Sequence, residues 1–90
     1  MIIHIIKRRG HKEPFDERKV YASVSAAARN CHLDERTAEK IAETVLVGLR
    51  EWLADKSQIP SVHIFEKVIE LLNKENGEVA FMYHTHRDVS

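Results

Sequence analysis

Apolar positions along the chain form two patterns, a short β-branched run followed by helical stripes. Residues 2–6 read IIHII, and such side chains favour an extended backbone. Arg9-Gly10 indicates a turn, because glycine adopts positive φ readily, and residues 12–15 are then expected to return as the second strand of a hairpin. Pro14 cannot donate a ladder hydrogen bond, which places this second strand at an edge.

Two helices are predicted directly after the hairpin. Asp16 can cap a helix over residues 17–30, and Asp34 can cap a longer one over residues 35–54. Apolar side chains recur in both at three- and four-residue spacing, which is typical of helices that bury one face. The predicted core positions are Val20, Val24 and Ala27 or Ala28 in the first helix, and Ala38, Ile41, Ala42, Val45, Leu49, Trp52 and Leu53 in the second.

Two further helices complete the predicted fold. Ile59-Pro60-Ser61 interrupts the chain, Ser61 is expected to cap the third helix, and Gly77 separates it from the last. The apolar positions are Val62, Phe65, Val68, Ile69 and Leu72 in the third helix, and Val79, Ala80, Phe81 and Tyr83 in the fourth. The expected class is α+β, a bundle of about four helices capped by an N-terminal β-hairpin, in a single domain over residues 1–90.

Composition limits the possible classes of protein. The chain has 14 basic and 14 acidic side chains and is 43% hydrophobic, which is ordinary for a globular domain. No apolar run approaches the ~20 residues that span a bilayer, so we expect no membrane partner and a cytoplasmic location. The single cysteine, Cys31, excludes an intrachain disulfide and a thiolate zinc set. No nucleophile with a positioned base is recognisable, so we expect no enzyme.

One histidine-rich tract, His84-Thr85-His86, resembles a metal-binding segment. Side chains two positions apart on a helix do not face each other, however, and only Asp88 is near enough in sequence to add a ligand. We therefore expect no metal site here.

Positive charge is concentrated in one segment of this neutral chain. A glycine in that segment lets the backbone approach a ligand closely, and the start of the first helix adds N–H groups that favour anions. A phosphate group is therefore the simplest ligand for it. The cations are Lys7, Arg8, Arg9, Lys12, Arg18 and Lys19.

The chain resembles the ATP-cone in the run KRRGHKEPFDERKV and in the SVSAAA helix after it. The ATP-cone is the small allosteric nucleotide-binding domain of many ribonucleotide reductases, and a similar domain forms the regulatory half of the bacterial repressor of reductase genes. The segments IPSVHIFEKVIELL and EVAFMYHTHR resemble the third-helix entry and the closing motif of the family. The residues that match the family's first motif are Lys7, Arg8, Gly10, Glu13, Phe15, Asp16 and Lys19.

The resemblance implies regulatory binding of ATP or dATP, expected with Mg²⁺, that controls the oligomerisation or activity of a partner. It implies adenine recognition around Glu13, with Ile5 and Val20 packing on the base, while Lys7 and Arg8 are expected to contact phosphate. The candidate nucleotide-binding residues are Ile5, Lys7, Arg8, Arg9, Glu13, Phe15, Asp16, Lys19, Val20, Ser61 and Arg87.

Two positions depart from the family pattern. Arg9 stands where an acidic residue or Asn is usual, and Phe65 stands where many members have a His that helps to distinguish the sugar. The preference between ATP and dATP therefore stays open. The chain ends soon after Arg87, without a zinc ribbon or a catalytic barrel. If it is complete, it would act in trans on a ribonucleotide reductase or another host protein, or as a homo-oligomer.

Two other functions remain open. The basic turn would also suit the phosphodiesters of a small nucleic-acid-binding module, although zero net charge and the lack of a basic recognition helix make nucleic acid an unlikely partner. A protein-interaction module with a degenerate nucleotide site is the other alternative, for which the departures at Arg9 and Phe65 are the main support.

Overall fold

A computed structural model describes residues 3–85, which form three short strands and four helices. The predicted α+β class, with four helices and an N-terminal hairpin, is confirmed. None of the helices in this part of the chain is long and apolar enough to cross a membrane. In chain order the elements are β1 (His4–Ile6), β2 (Lys12–Pro14), α1 (Glu17–Asn30), α2 (Glu35–Leu53), β3 (Gln58–Pro60), α3 (Ser61–Glu75) and α4 (Gly77–Thr85).

The predicted hairpin belongs to a larger, mixed sheet. β1 pairs with β2 in the antiparallel sense, with Ile5 opposite Glu13, and with β3 in the parallel sense, with Ile5 opposite Ile59. The strand order is β2-β1-β3, so Pro14 lies on an edge strand as predicted. The expectation of a simple chain break before α3 is wrong, because β3 lies there and buries Ile59 against the core.

The first two helices begin where their sequences predict and bury the predicted faces, except that Trp52 is only partly buried. Asp16 and Asp34 are their N-caps, and Asp34 Oδ1 accepts a hydrogen bond from Thr37 N at 3.0 Å. α2 packs closely on α3 at Gly48, because a Cβ there would lie 2.8 Å from Cδ2 of Leu71 and the leucine side chain would have to shift. The buried residues are Val20, Val24, Ser25, Ala27 and Ala28 in α1, and Ala38, Ile41, Ala42, Val45, Leu46, Leu49 and Leu53 in α2.

The start of α3 differs from the prediction. Pro60 is its N-cap and no side chain caps it, so Ser61 is the first helical residue rather than the cap. The reason is that β3 runs directly into α3 and uses Pro60 as its last residue. The helix buries Ile64, Val68 and Leu72, whereas the predicted core residue Val62 is exposed.

The last helix also has a different boundary and a smaller buried face. Asn76 accepts hydrogen bonds through Oδ1 from Glu78 N at 2.9 Å and Val79 N at 3.2 Å. Gly77 is therefore the first residue of α4 and not a separator. Val79 is buried as predicted, but Phe81 is 69% exposed.

Candidate functional site

A cleft of about 810 Å³ is bordered by the hairpin, the first turns of α1 and α3, and α4. Its volume falls within the ~300–1,000 Å³ that is typical of small-molecule sites. Arg87, one of the eleven predicted site residues, lies outside the described residues. The other ten all line the cleft: Ile5, Lys7, Arg8, Arg9, Glu13, Phe15, Asp16, Lys19, Val20 and Ser61.

Strand alternation explains which hairpin side chains reach the cleft. Ile5 lies opposite Glu13, and the next opposed pair on the same face is Lys7 and His11, where Lys7 N donates to the His11 carbonyl at 2.7 Å. Residues two apart on a strand share a face, so all four line the cleft. Lys12, at an alternate position, does not line the cleft, whereas Pro14, at the end of the same strand, does.

The turn that carries the cations is closed by backbone hydrogen bonds. Gly10 has φ of +80°, as a turn glycine is expected to have, and its N–H donates to the Lys7 carbonyl at 2.9 Å. The amide hydrogens of Lys7 and Gly10 are therefore used within the turn. The side chains of Arg8 and Arg9, which line the cleft, bring the charge of the turn to the site.

Both carboxylates that line the cleft have cationic neighbours. Glu13 Oε1 lies 3.4 Å from Lys7 Nζ, and its Oε2 lies 4.0 Å from His11 Nε2. Asp16 Oδ1 accepts from Arg18 N and Nε, each at 3.0 Å, and Oδ2 accepts from Arg18 Nη2 at 3.1 Å. The bonds from Arg18 hold the pKa of Asp16 below its usual value.

Two helix starts border the cleft, and they differ in charge. α1 begins at the Asp16 cap and continues with Glu17, whose carboxylate accepts from Arg50 Nε at 2.9 Å and Nη2 at 2.7 Å. The hydrogen bond from Arg50 lowers the pKa of Glu17. α3 has no capping side chain and no acidic residue in its first turn. The positive end of the α3 dipole is therefore not balanced by a carboxylate of its own first turn.

Sheet topology brings the start of α3 to the cationic turn. Ile6 pairs with Pro60 in the parallel register of β1 and β3. The next residues along the two strands, Lys7 and Ser61, therefore leave the sheet at the same end, and both line the cleft.

Five lining residues were absent from the sequence-based prediction: His11, Pro14, Ser23, Ile64 and Tyr83. His11 could have been found from alternation, because it lies two residues before Glu13 on the same strand face. Tyr83 depends on tertiary packing, since it comes from α4. Behind it, Phe65 stacks on its ring with centroids 5.5 Å apart and an interplanar angle of 23°.

Metal-ligating residues are not grouped in the part of the chain that the structure describes. Within residues 3–85, no cluster of three or more His, Cys, Asp or Glu side chains could hold a metal ion. The histidine-rich tract His84-Thr85-His86 reaches beyond this range, because His86 lies outside the described residues. Cys31 is a free thiol whose pKa is raised, chiefly by burial.

The fold and the cleft define a small α+β domain with a cationic pocket at the end of its sheet. The chain belongs to the ATP cone domain family, which matches residues 3–88. The resemblance to the ATP-cone is thereby confirmed.

Curated relatives carry the name transcriptional repressor NrdR. The protein of Geobacter metallireducens is 26% identical, over 96% of this chain and 59% of its own length. That of Symbiobacterium thermophilum is 29% identical over the same shares, and that of Dictyoglomus turgidum is 31% identical over 89% of this chain and 51% of its own. The chain thus spans little more than half the length of these relatives.

Proposed function

We propose that the cleft binds an adenine nucleotide, ATP or dATP, and that this binding regulates a partner. The observation that carries the proposal is the convergence of four cations on one cleft in a chain of the ATP cone domain family. They are Lys7, Arg8, Arg9 and Lys19. A polyphosphate is the ligand whose charge matches such a group.

The two ends of the ligand would meet different parts of the cleft. Lys7 and Arg8 would contact the phosphates, with Ser61 presenting its hydroxyl at the uncapped start of α3. Ile5 and Val20 offer apolar surface for the base, and Glu13 offers an acceptor for an exocyclic amino group. Phe15 borders the same cleft.

Magnesium would enter with the nucleotide. Both cleft carboxylates, Glu13 and Asp16, already interact with basic side chains. Phosphate oxygens and water would therefore supply most of the ligands of Mg²⁺, which keeps several waters in many protein sites.

Regulation would follow from differential binding. A nucleotide shifts the protein between two arrangements only to the extent that it binds one of them more tightly. The relatives are named transcriptional repressors, so control of gene expression by a longer protein is one candidate output. Control of assembly or activity of a reductase or other host protein in the cytoplasm is another, and neither role makes this chain an enzyme.

Nucleic-acid binding is the second candidate function, and the names of the relatives favour keeping it. The same cations would then contact phosphodiesters. Affinity for DNA would fall steeply with salt and would show no preference for a mononucleotide. Competition between ATP and a DNA duplex at several salt concentrations separates the two functions.

Thermal unfolding with added nucleotide tests the proposal. Ligand at about 100 times its Kd stabilises a protein by about 2.7 kcal/mol. For a domain of this size, each kcal/mol raises Tm by about 4–8 °C. We expect a Tm increase of more than about 10 °C with ATP or dATP and a much smaller one with GTP or phosphate. No increase at millimolar ATP and dATP would contradict the proposal.

A charge-removal variant gives the matched comparison. In Lys7→Ala/Arg8→Ala, each lost charge-assisted contact should cost about 1.5–3 kcal/mol of binding, so affinity should fall more than about 100-fold. Lys12→Ala removes a cation from the same hairpin at a position that does not line the cleft. It should bind like the unchanged protein in calorimetry.

A further inference from the structure

We propose that His11 is an additional phosphate-side residue of the cleft and that its protonation strengthens nucleotide binding. This inference rests on the proposed function and extends it, because it couples nucleotide binding to the uptake of a proton. The observation is the position of His11 in the lining of the cleft, next to Lys7, whose backbone N–H donates to the His11 carbonyl.

The geometry joins His11 to the principal cation of the cleft. The backbone hydrogen bond from Lys7 N to the His11 carbonyl fixes the two residues side by side. Their side chains share one carboxylate, because Glu13 Oε1 is 3.4 Å from Lys7 Nζ and Oε2 is 4.0 Å from His11 Nε2. The His11 side chain is 70% exposed, so it can turn from Glu13 towards a ligand at small cost.

Other charged groups line the same cleft as the imidazole. Basic and acidic side chains come from the hairpin and from α1, while α3 contributes only Ser61 and Ile64 to the lining. Among residues 3–85, the titratable and charged groups that share the cleft with His11 are Lys7, Arg8, Arg9, Glu13, Asp16, Lys19 and Tyr83.

Protonation of His11 would act on phosphate binding in two ways. The imidazolium adds a positive charge next to Lys7. It also competes with Lys7 for the Glu13 carboxylate, which would leave Lys7 more available to a phosphate. Both effects favour an anion in the cleft. Lysine and arginine cannot make nucleotide affinity depend on pH in this way, because histidine is the residue type that ordinarily changes charge between about pH 5 and pH 8.

Calorimetric titration with MgATP at about pH 6 and about pH 8 tests the inference. The terminal phosphate of ATP also titrates in this range. The readout is therefore the affinity at the lower pH divided by the affinity at the higher pH, and this ratio is compared between variants. We expect this ratio to be about two- to fivefold larger in the unchanged protein than in His11→Gln, the size of an exposed charge pair. His11→Lys should bind at about pH 8 as tightly as the unchanged protein does at about pH 6, once the titration of ATP itself has been corrected for.

A matched control lies on the same hairpin. His4 belongs to β1 but does not line the cleft, so His4→Gln should keep the full pH dependence. Equal pH ratios in the unchanged protein and His11→Gln, with binding intact in both, would overturn the role of His11 and leave the proposed function standing. Absence of ATP binding in every variant would overturn both.

Discussion

The two helix starts at the cleft are built from opposite chemistry. α1 begins with Asp16 and Glu17, and each carboxylate is held by an arginine through two or more hydrogen bonds. α3 begins with Pro60 and Ser61 and has neither a side-chain cap nor an acidic first turn. A helix N-terminus attracts anions, and at α1 the protein supplies them itself.

This difference indicates where an incoming phosphate would find the least competition. At α1, a ligand would have to share N–H groups and positive potential with two carboxylates. At α3, it would meet an uncapped helix start that leaves the sheet beside Lys7. We therefore expect the α3 start to interact with the phosphates, and the α1 start to be a structural element of the cleft.

Among the changes that test this comparison of helix starts, the largest effect should come from making the α3 start resemble that of α1. Ser61→Asp introduces a carboxylate at the first residue of α3, where it would repel phosphate and lower affinity for MgATP by roughly tenfold. The same carboxylate should stabilise the free domain by about 0.3–1 kcal/mol through the helix dipole. Calorimetry and thermal unfolding measure the two opposite changes.

The matched control places an equal charge elsewhere in the cleft. Ser23→Asp lies within α1, away from a helix start, and also lines the cleft. It should weaken binding less than Ser61→Asp and should not stabilise the free domain. Equal losses of affinity would mean that general repulsion, rather than the α3 start, explains the effect.

A smaller effect should come from making the α1 start resemble that of α3. Asp16→Asn keeps a good N-cap but removes a negative charge and the ion pair with Arg18. Affinity for MgATP should rise about two- to fivefold, by the size of an exposed charge interaction. A fall in affinity would show instead that the Asp16 carboxylate contacts the nucleotide directly.

The smallest effect should be on stability in acid. Hydrogen bonds from Arg18 and Arg50 hold the pKa values of Asp16 and Glu17, respectively, below their usual values. A depressed pKa contributes stability above the unfolded-state pKa, and this is lost as pH falls through the folded-state pKa. Urea unfolding should therefore show a loss of stability below about pH 4.5 that is smaller in Asp16→Asn/Glu17→Gln. Equal losses of stability in the unchanged protein and in the double variant would contradict this prediction.

Local signals predicted most of the fold. The cap residues Asp16 and Asp34, the turn at Gly10 and the edge position of Pro14 depend on neighbouring residues and are all confirmed. β3 was missed because its pairing with β1 is long-range and its three residues are too few to establish an alternating pattern in the sequence. The Ser61 cap was wrong for the same reason, since the strand determines where α3 begins.

The cleft was predictable from the hairpin and the two helix starts, but not from α4. The predicted hairpin with its cationic turn and the family motif together placed Lys7 and Glu13 at one site, and the structure brings them together. The contribution of Tyr83 depends on how α4 packs on α3, through the stack with Phe65, and no local pattern contains that information.

The parallel pairing of β1 with β3 has a consequence for assembly of the domain. Its two strands lie far apart in sequence, and the segment between them includes both α1 and α2. Closing so long a loop costs entropy that only the finished core repays. A partly folded chain with the hairpin alone would carry the cations but lack the α3 wall, so a bound nucleotide would stabilise the whole domain and not a local motif.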